Sequence, residues 1–318
     1  MIGPGILAFG RVAVFLRRME IWVGITIAAA FLQNLRSALQ KYLKGRMGTT
    51  SATFVRFGFG APFAILFVLL LRVSGSPYPQ ASLAFALWVV IGGFAQIGAT
   101  FLLIHLFSFR NFVVGTAYSR TEPAQAAVFG AMFLGEAPQT VAAFAIGLAV
   151  AGVMLISVAR SAAGWKPLIT AIFSRSAGIG ILSGTLFGIA AVAYRAASLS
   201  LGGPNFLMQA AYTLATTIIL QTVVMLVWLA WRERDELARI AAAWKPSLAT
   251  GLVGAAASFG WFSAMTLQQA AIVKAVAQVE MLFTFAAAVF WFREHINRLE
   301  IAGCVLITGG ILALLLAA

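Results

Sequence analysis

Long apolar runs recur along the whole chain and limit what it can fold into. Ten of them are long enough to cross a bilayer: residues 21–40, 51–71, 83–107, 112–134, 139–158, 177–200, 205–231, 247–267, 270–292 and 299–317. A spanning helix needs about 20 residues, and the runs lack the period-two alternation of a barrel strand. Backbone groups in lipid must bond within their own segment. The chain is therefore expected to be an all-α polytopic membrane protein with ten transmembrane helices.

Composition excludes a water-soluble domain. Of the 318 residues, 62% are hydrophobic and 10% are charged, whereas soluble domains average about 25% charged. Membrane loops that retain Lys and Arg account for the net charge of +13, so no nucleic-acid partner is predicted. Cys304, His105 and His295 lack metal-ligand spacing, and the chain has no Walker P-loop pattern. We predict no enzyme activity, no metal and no cofactor.

An internal repeat divides the chain. At an offset of 158 residues, Glu122 aligns with Glu280 and Glu136 with Glu294, although the chain has only nine acidic residues. The predicted organisation is an N-terminal tail at 1–19, a five-helix repeat at 20–160, a basic linker at 161–176 and a second five-helix repeat at 177–318. Because each repeat has an odd number of helices, the two are inverted. In such folds a binding site lies near the bilayer midplane between the repeats.

Two segments carry a family resemblance. YSRTEPAQAAVFGAMFLGE at 118–136 and VAQVEMLFTFAAAVFWFRE at 276–294 resemble the fourth helix of each EamA repeat in the drug/metabolite transporter superfamily. A fifth helix containing Gly follows each segment, as in that family. The resemblance implies a ten-helix carrier of small molecules, usually an exporter of metabolites or drugs. One position departs from the family pattern, since Pro123 is matched by Met281.

The distribution of basic residues predicts the orientation. The side that holds both termini has four Lys and Arg residues, and the other side has thirteen, from Lys41 to Arg298. Short loops rich in Lys and Arg stay in the cytoplasm, so both termini are expected to face outward from a bacterial inner membrane. The family resemblance implies cytoplasmic termini instead, and the sequence leaves these alternatives open.

Seven ionisable residues lie within the predicted spans, where a charge costs about 2.5–3.5 kcal/mol. Two of them, Glu122 and Glu280, fall at mid-span and are related by the repeat. Arg120 is two residues from Glu122 and projects from nearly the opposite face of the helix. We therefore predict that Arg120 pairs with Glu280, while Glu122 faces a cavity or a polar neighbour.

Three of the other basic residues lie near span ends. Arg36 and Arg56 are within about a turn of the first loop and are expected to snorkel to that interface. For Arg195 the sequence leaves two roles open: snorkelling to the interface, or taking part in the site beside Tyr194. The doubled GxxxG pattern of Gly180, Gly184 and Gly188 predicts close helix packing within the chain rather than a dimer interface.

The polar side chains near these charges predict a central cavity. The candidate substrate-binding or coupling residues are Glu122, Glu280, Arg120, Tyr118, Asn34, Gln96, Trp261, Lys274, Gln278, Tyr194 and Arg195. The surplus of basic over acidic residues in the spans favours a carboxylate or phosphate on the substrate.

These observations favour a secondary active transporter of a small polar or amphipathic metabolite. Protons are one candidate coupling ion and exchange is the other mode, because no ATP-binding pattern is present. The expected partners are the small-molecule substrate and the lipid bilayer, and the chain is expected to be a monomer or a homodimer. A lipid-intermediate flippase, which would need a lateral gate, and a membrane-embedded enzyme remain alternatives.

Overall fold

The computed structural model describes residues 21–109, 112–159, 174–203, 205–290 and 297–317. The predicted tail at 1–19, most of the predicted linker at 161–176 and Glu294 lie outside these residues. The described part of the chain contains fourteen helices and no strand. They are α1 (Ile21–Lys44), α2 (Thr49–Gly58), α3 (Ala61–Val73), α4 (Leu83–Leu106), α5 (Phe112–Ser119), α6 (Glu122–Leu134), α7 (Thr140–Ala159), α8 (Arg175–Ser200), α9 (Phe206–Arg232), α10 (Arg234–Ala242), α11 (Trp244–Leu267), α12 (Ala270–Val276), α13 (Val279–Phe290) and α14 (Arg298–Ala317).

Among the described residues, seven helical segments are long and apolar enough to cross a membrane. They are Thr49–Val73, Leu83–Leu106, Thr140–Ser157, Arg175–Ser200, Phe206–Arg232, Trp244–Leu267 and Arg298–Leu316. The prediction of an all-helical, multi-pass membrane protein is confirmed. The other three predicted spans coincide with α1, α5–α6 and α12–α13, of which the last two are interrupted. The count of ten spans therefore stays a prediction.

The two interrupted spans break at equivalent positions of the repeat. Between α5 and α6, Arg120 N–H and Thr121 N–H bond to carbonyls three residues back, and Pro123 follows. Between α12 and α13, Gln278 N–H bonds to the carbonyl of Ala275 in the same way, although no proline lies there. In tight turns of this kind the regular α-helical hydrogen bonds are interrupted, so some backbone carbonyls become available to other partners. Both breaks bring polar side chains to the middle of the bundle.

Helix packing relates the two halves of the chain. Helix α4 packs along α8, and its counterpart α11 packs along α1. In the same manner α5 and α6 lie on α8, while α12 and α13 lie on α1. The remaining main contacts join α7 to α14, α2 and α3 to α9, and α6 to α12. Exchanging the halves maps the first two sets of contacts onto each other, as an internal repeat predicts.

The glycines of α8 allow close packing inside the chain. A Cβ at Gly180 would overlap the backbone of Gly115 on α5, and one at Gly184 would lie 2.9 Å from the carbonyl oxygen of Ser119. Helices α8 and α5 therefore meet backbone to backbone next to the first break. The prediction that this glycine pattern packs within the chain is confirmed.

A carboxylate on the short helix α10 anchors the loop between α1 and α2. Glu236 Oε2 accepts the N–H of Gly48 at 2.7 Å and the hydroxyl of Ser51 at 2.6 Å, while its Oε1 accepts from Arg239 at 2.6 Å. Burial raises the pKa of Glu236, but the hydrogen bonds and the Arg239 charge outweigh it, so the pKa lies below its ordinary value. The first basic loop is thereby held against α10.

We expect Glu236→Gln to lower the Tm of the detergent-solubilised protein at neutral pH. A lowered pKa means that the ionised carboxylate stabilises the folded state above the unfolded pKa, and this contribution is lost as the pH falls through the folded pKa. A pH series of thermal unfolding should therefore show the difference between wild type and variant closing in acid. Asp235→Asn removes the adjacent exposed carboxylate and is the matched control; an equal loss in both variants would contradict the anchoring role.

Candidate functional site

A cavity of about 370 Å³ lies between the two halves of the chain. It is lined by Gln33, Asn34, Arg36, Ser37, Ala38, Lys41, Leu103, Phe107, Thr116, Ser119, Arg120, Glu122, Phe187 and Lys274. Lys41 lies in the last turn of α1 and Phe107 directly follows α4, so the cavity extends to the side of the bundle at which these helices end. This is the side predicted to carry the excess of Lys and Arg.

An ion pair joins the two helix breaks. Arg120 Nη1 contacts Glu280 Oε1, and the amide of Gln33 donates to Glu280 Oε2 at 3.3 Å. The side chain of Glu280 is 2% exposed and that of Arg120 is 33% exposed. The contact between Arg120 and Glu280 that the sequence predicts is thus confirmed, and Arg120 is the partner nearer to the open cavity.

A second ion pair connects the halves, with the cation now supplied by the second half of the chain. Lys274 Nζ on α12 lies 2.8 Å from Glu122 Oε1 at the start of α6. The same ammonium lies 4.6 Å from the ring centre of Trp261 on α11, within cation–π distance. Glu122 lines the cavity, whereas Glu280 lies behind Arg120. Each mid-span carboxylate therefore has a countercharge from the other half of the chain.

Side-chain amides bind the backbone at both breaks. Asn34 on α1 donates to the carbonyl oxygen of Glu280 at 3.3 Å, and Gln278 donates to the carbonyl oxygen of Arg120 at 3.4 Å. The carbonyl of Arg120 lies in the first break, and that of Glu280 lies in the first turn after the second break. The amides thus help to fix the two breaks against each other and against α1.

A smaller hollow of about 20 Å³ adjoins the main cavity, sharing Gln33, Phe187 and Lys274 as lining residues. Its remaining lining residues are Arg56, Gln96, Ala190, Ala191, Tyr194, Ser258, Trp261, Phe262 and Met265. The ring of Tyr194 stacks on Phe262 at 4.3 Å. The hollow therefore combines aromatic rings with the charged side chains of Arg56 and Lys274.

A polar network holds Tyr194 at the edge of this hollow. Its hydroxyl lies 2.8 Å from the carbonyl oxygen of Gly92 and 2.9 Å from Gln96 Oε1. The amide of Gln221 on α9 donates to the same Gln96 oxygen at 2.9 Å and to the carbonyl oxygen of Gly93 at 3.1 Å. The polar groups of Tyr194 and Gln96 are thus held by hydrogen bonds within the protein.

The predicted snorkelling of Arg36 and Arg56 is wrong. Each side chain belongs to a residue that is only 3% exposed, so neither reaches an interface. Arg56 Nη1 donates to the hydroxyl of Thr100 at 3.0 Å, and Arg36 lines the main cavity. Arg56 lies on α2 and its side chain reaches α4. Arg36 points inward because the face of α1 that carries Arg36 and Gln40 is buried.

Arg195 lies away from both cavities. It forms a two-pronged ion pair with Glu136, with Nε–Oε2 and Nη2–Oε1 distances of 2.7 and 2.8 Å. Its Nη1 donates to the carbonyl oxygens of Met265 and Gln268 at the end of α11. Gly135, with φ of +68°, ends α6 in the left-handed region and turns the chain so that Glu136 faces Arg195. Arg195 thus ties the ends of α6 and α11 to α8.

The structure brings most of the predicted site residues together and leaves two of them apart. Nine lie at the ion pairs, the helix breaks or the adjoining hollow: Asn34, Gln96, Arg120, Glu122, Tyr194, Trp261, Lys274, Gln278 and Glu280. Arg195 belongs to the separate ion pair with Glu136. The side chain of Tyr118 is buried and lines neither cavity, although its carbonyl oxygen accepts the hydroxyl of Thr121 at 2.7 Å at the first break.

Sequence reasoning missed three residues of this region. Thr116 precedes Arg120 by four residues, so its place on the same helix face could have been found from spacing. Phe187, which lines both cavities, has no distinguishing signal among 26 phenylalanines. Gln221 is an amide in the apolar middle of its span, a pattern that indicates an interhelical hydrogen bond.

The comparisons with known proteins agree with this architecture. The sequence model of the EamA-like transporter family matches residues 20–158 and 174–316. A solved structure, described only as a crystal structure of a protein, aligns with a TM-score of 0.67 and 18% identity, covering 93% of this chain and 96% of that chain. At that identity the likeness shows the fold alone. The search among curated proteins gave no match.

Proposed function

Because the chain belongs to the EamA-like transporter family of the drug/metabolite transporter superfamily, we propose that it is a secondary active transporter. It moves a small polar or amphipathic metabolite across a bacterial inner membrane, and export is the favoured direction. The one observation that carries this proposal is the cavity at the two helix breaks, where two ion pairs connect the halves of the chain. Interrupted spans with a central polar site are the usual design of such carriers.

In this proposal the fold is ten spans in two inverted five-helix repeats. The interrupted helices α5–α6 and α12–α13 then count as one span each, and α10 lies outside the membrane. The equivalent packing of α4 on α8 and of α11 on α1 supports the repeat. The interface between the repeats contains both ion pairs, so rocking of one repeat against the other would change access to the cavity.

The cavity is accessible from one side of the bundle. It extends towards the ends of α1 and α4, which the distribution of Lys and Arg assigns to the cytoplasm. On the opposite side, Arg195, Glu136 and the carbonyl oxygens of Met265 and Gln268 connect three helices. This cluster, which we call the Arg195 clamp, closes the outer side in an inward-facing state.

Glu122 is the favoured coupling group. It lines the cavity and neutralises Lys274, whereas Glu280 is buried behind Arg120. A proton bound at a Glu122 carboxylate oxygen would remove the countercharge of Lys274 and so alter the electrostatic potential in the cavity. Proton binding and substrate binding would then be linked through the same arrangement of charges, which is the requirement for proton coupling.

The flippase alternative receives less support. A flippase would need a lateral opening that joins the polar cavity to the lipid. The apolar groove of about 400 Å³ between α13 and α14 is lined by Phe285, Ile301, Cys304, Val305, Thr308, Gly309 and Leu312. It shares no lining residue with the polar cavity, so a soluble metabolite fits the arrangement better.

A flux assay in proteoliposomes tests the proposal. A panel of isotope-labelled metabolites is measured with and without a proton gradient, on wild type, Glu122→Gln and Glu280→Gln. We expect gradient-driven flux of at least one metabolite in wild type and its loss in Glu122→Gln, while substrate exchange in Glu122→Gln persists because no net proton movement is needed. Asp235→Asn, an exposed carboxylate on α10, should behave as wild type. The proposal would be contradicted if the flux of every metabolite were unchanged by the gradient and by the Glu122 and Glu280 substitutions.

A further inference from the structure

Arg36 is a buried cation without a counterion among the described residues. It is 3% exposed, and its Nε and Nη1 atoms are buried with no hydrogen-bond partner in that part of the chain. Its side chain lines the main cavity. Taking a charge out of water is costly unless an opposite charge stands close, so the arrangement calls for an anion from outside the described chain.

The neighbouring charges do not supply that anion. Glu280 is bound to Arg120 and Glu122 to Lys274, so each of these acids already faces a cation. No other described Asp or Glu lines the main cavity. Its formal charge is therefore positive once the two ion pairs are set aside.

A second arginine strengthens the positive field at Arg36. Both side chains pack on Gly254 of α11, where a Cβ would lie 3.3 Å from Arg36 Cδ and 3.6 Å from Arg56 Cγ. The partner of Arg56 is the neutral hydroxyl of Thr100. Glycine at this position leaves room for two arginine stems side by side, although like charges repel each other at this separation.

We propose that the cavity binds an organic anion and that Arg36 holds its acidic group, an inference that rests on the proposed transporter function. A guanidinium presents its N–H groups as a planar fork, which matches the oxygens of a carboxylate or phosphate. The Nε and Nη1 atoms have no partner in the described part of the chain, and each forms such a fork together with Nη2, which lies between them in the guanidinium plane. The acid compensates the charge of Arg36, and Arg56 adds attraction from the adjoining hollow.

The main cavity, at about 370 Å³, has room for the rest of the same ligand. Leu103, Phe107 and Phe187 line this cavity, so an apolar or aromatic body can lie beside the acid site. The indole N–H of Trp261 is buried and has no hydrogen-bond partner among the described residues. The hollow beside it, at about 20 Å³, has room for a water-sized group.

Three probes with one body and different head groups test the charge preference. They are phenylacetate, 2-phenylethylamine and 2-phenylethanol, titrated against the Tm of the detergent-solubilised protein. We expect phenylacetate to raise the Tm of wild type by mass action, whereas the amine and the alcohol do not. A larger rise with the amine than with the acid would overturn the proposal.

Substitution of Arg36 links the effect to this residue. Arg36→Gln should bind phenylacetate about 10- to 100-fold more weakly, since it loses hydrogen bonds to a charged group. Without ligand the same variant should have a Tm about 2–4 °C higher, because an uncompensated buried charge is removed. Arg36→Lys keeps the charge, loses the fork and should bind with intermediate affinity. Lys44→Gln removes a charge from the same helix outside the cavity and should bind phenylacetate like wild type.

Two outcomes would contradict the role of Arg36. One is an acid-induced Tm rise that is unchanged in both Arg36 variants. The other is a lower Tm of ligand-free Arg36→Gln together with normal phenylacetate binding, which is the behaviour of a purely structural residue. If Arg36→Gln does not fold, the Arg36→Lys titration decides alone: undiminished binding overturns the proposal and weaker binding supports it.

A further titration with a short-chain lipid identifies whether the acidic group belongs to a lipid or to a soluble molecule. Dioctanoylphosphatidylglycerol carries the anion on a lipid, and phenylacetate carries it on a soluble molecule. A Tm rise that Arg36→Gln abolishes supports the anion site in either case and assigns the acid to whichever probe produces it. Inorganic phosphate tests the acid without a body; a Tm rise equal to that with phenylacetate would overturn the role of the apolar lining of the main cavity.

Binding and transport fail in distinguishable ways. Gradient-dependent flux of neutral or cationic metabolites, with no anion-induced Tm shift, would overturn this inference and leave the transporter proposal standing. An anion-induced shift that requires Arg36, with no flux of any anion, would support the binding site and count against transport.

Discussion

Arg120→Gln is expected to lower the free energy of unfolding by about 3 kcal/mol, because it leaves Glu280 buried without its countercharge. Glu280 is 2% exposed and would keep the hydrogen bond from Gln33, which is neutral. Glu280→Gln is expected to cost less, since the Arg120 that it leaves behind is 33% exposed and lines the cavity. Unfolding in mixed micelles with increasing SDS measures both losses.

The double variant Arg120→Gln/Glu280→Gln is the internal control. With both charges gone neither partner is stranded, so we expect it to be more stable than Arg120→Gln alone, with a coupling energy of about 1–3 kcal/mol. Equal losses in the two single variants, or strict additivity in the double variant, would show that the ion pair does not hold the two helix breaks together.

Breaking the Arg195 clamp is expected to shift accessibility from the main cavity towards the opposite end of the bundle. Arg195 binds Glu136 through two N–H groups and holds the end of α11 through two carbonyl oxygens. Glu136→Gln removes the ion pair and leaves the backbone contacts. Since hydrogen bonds between charged groups are worth about 1.5–3 kcal/mol, the balance between the two end states should shift about tenfold or more.

Two engineered cysteines in a Cys304→Ser background measure this shift. Thr266→Cys lies beside the clamp at a buried position, and Ser37→Cys lines the main cavity. When Glu136→Gln is added, reaction of a polar thiol reagent in detergent should become faster at position 266 and slower at position 37. Local loosening would raise reactivity at position 266 alone, so an unchanged rate at position 37 would contradict the gating role of the clamp.

The charges within the spans show how far the sequence could go. Lipid penalises an ionisable group so strongly that Glu122, Glu280, Arg120 and Lys274 were identifiable as site candidates from their position alone. The pairing of Arg120 with Glu280 also followed, because residues two apart on a helix face in different directions. Glu136 was recognised through the repeat, but its partner Arg195 was not, since that contact joins the end of one helix to the body of another.

Other features depended on contacts that no sequence pattern encodes. The α12–α13 break occurs without a proline, so its position arises from packing and from side chains such as Asn34, which binds the carbonyl oxygen of Glu280. Arg36 and Arg56 were expected at the interface because both lie near a loop. In the structure α11 packs on α1, and Gly254 gives both arginines space in the interior.

The sequence by itself determined that the chain crosses the membrane many times, is built from two related halves and carries charges at their centre. Hydrophobicity and spacing are properties of single segments, and the bilayer acts on each segment separately. Only the tertiary structure decided which charges meet, because the partner of a buried ion depends on how neighbouring helices rotate and where each helix is interrupted. It paired Arg120 with Glu280 and Lys274 with Glu122, and left Arg36 facing the cavity.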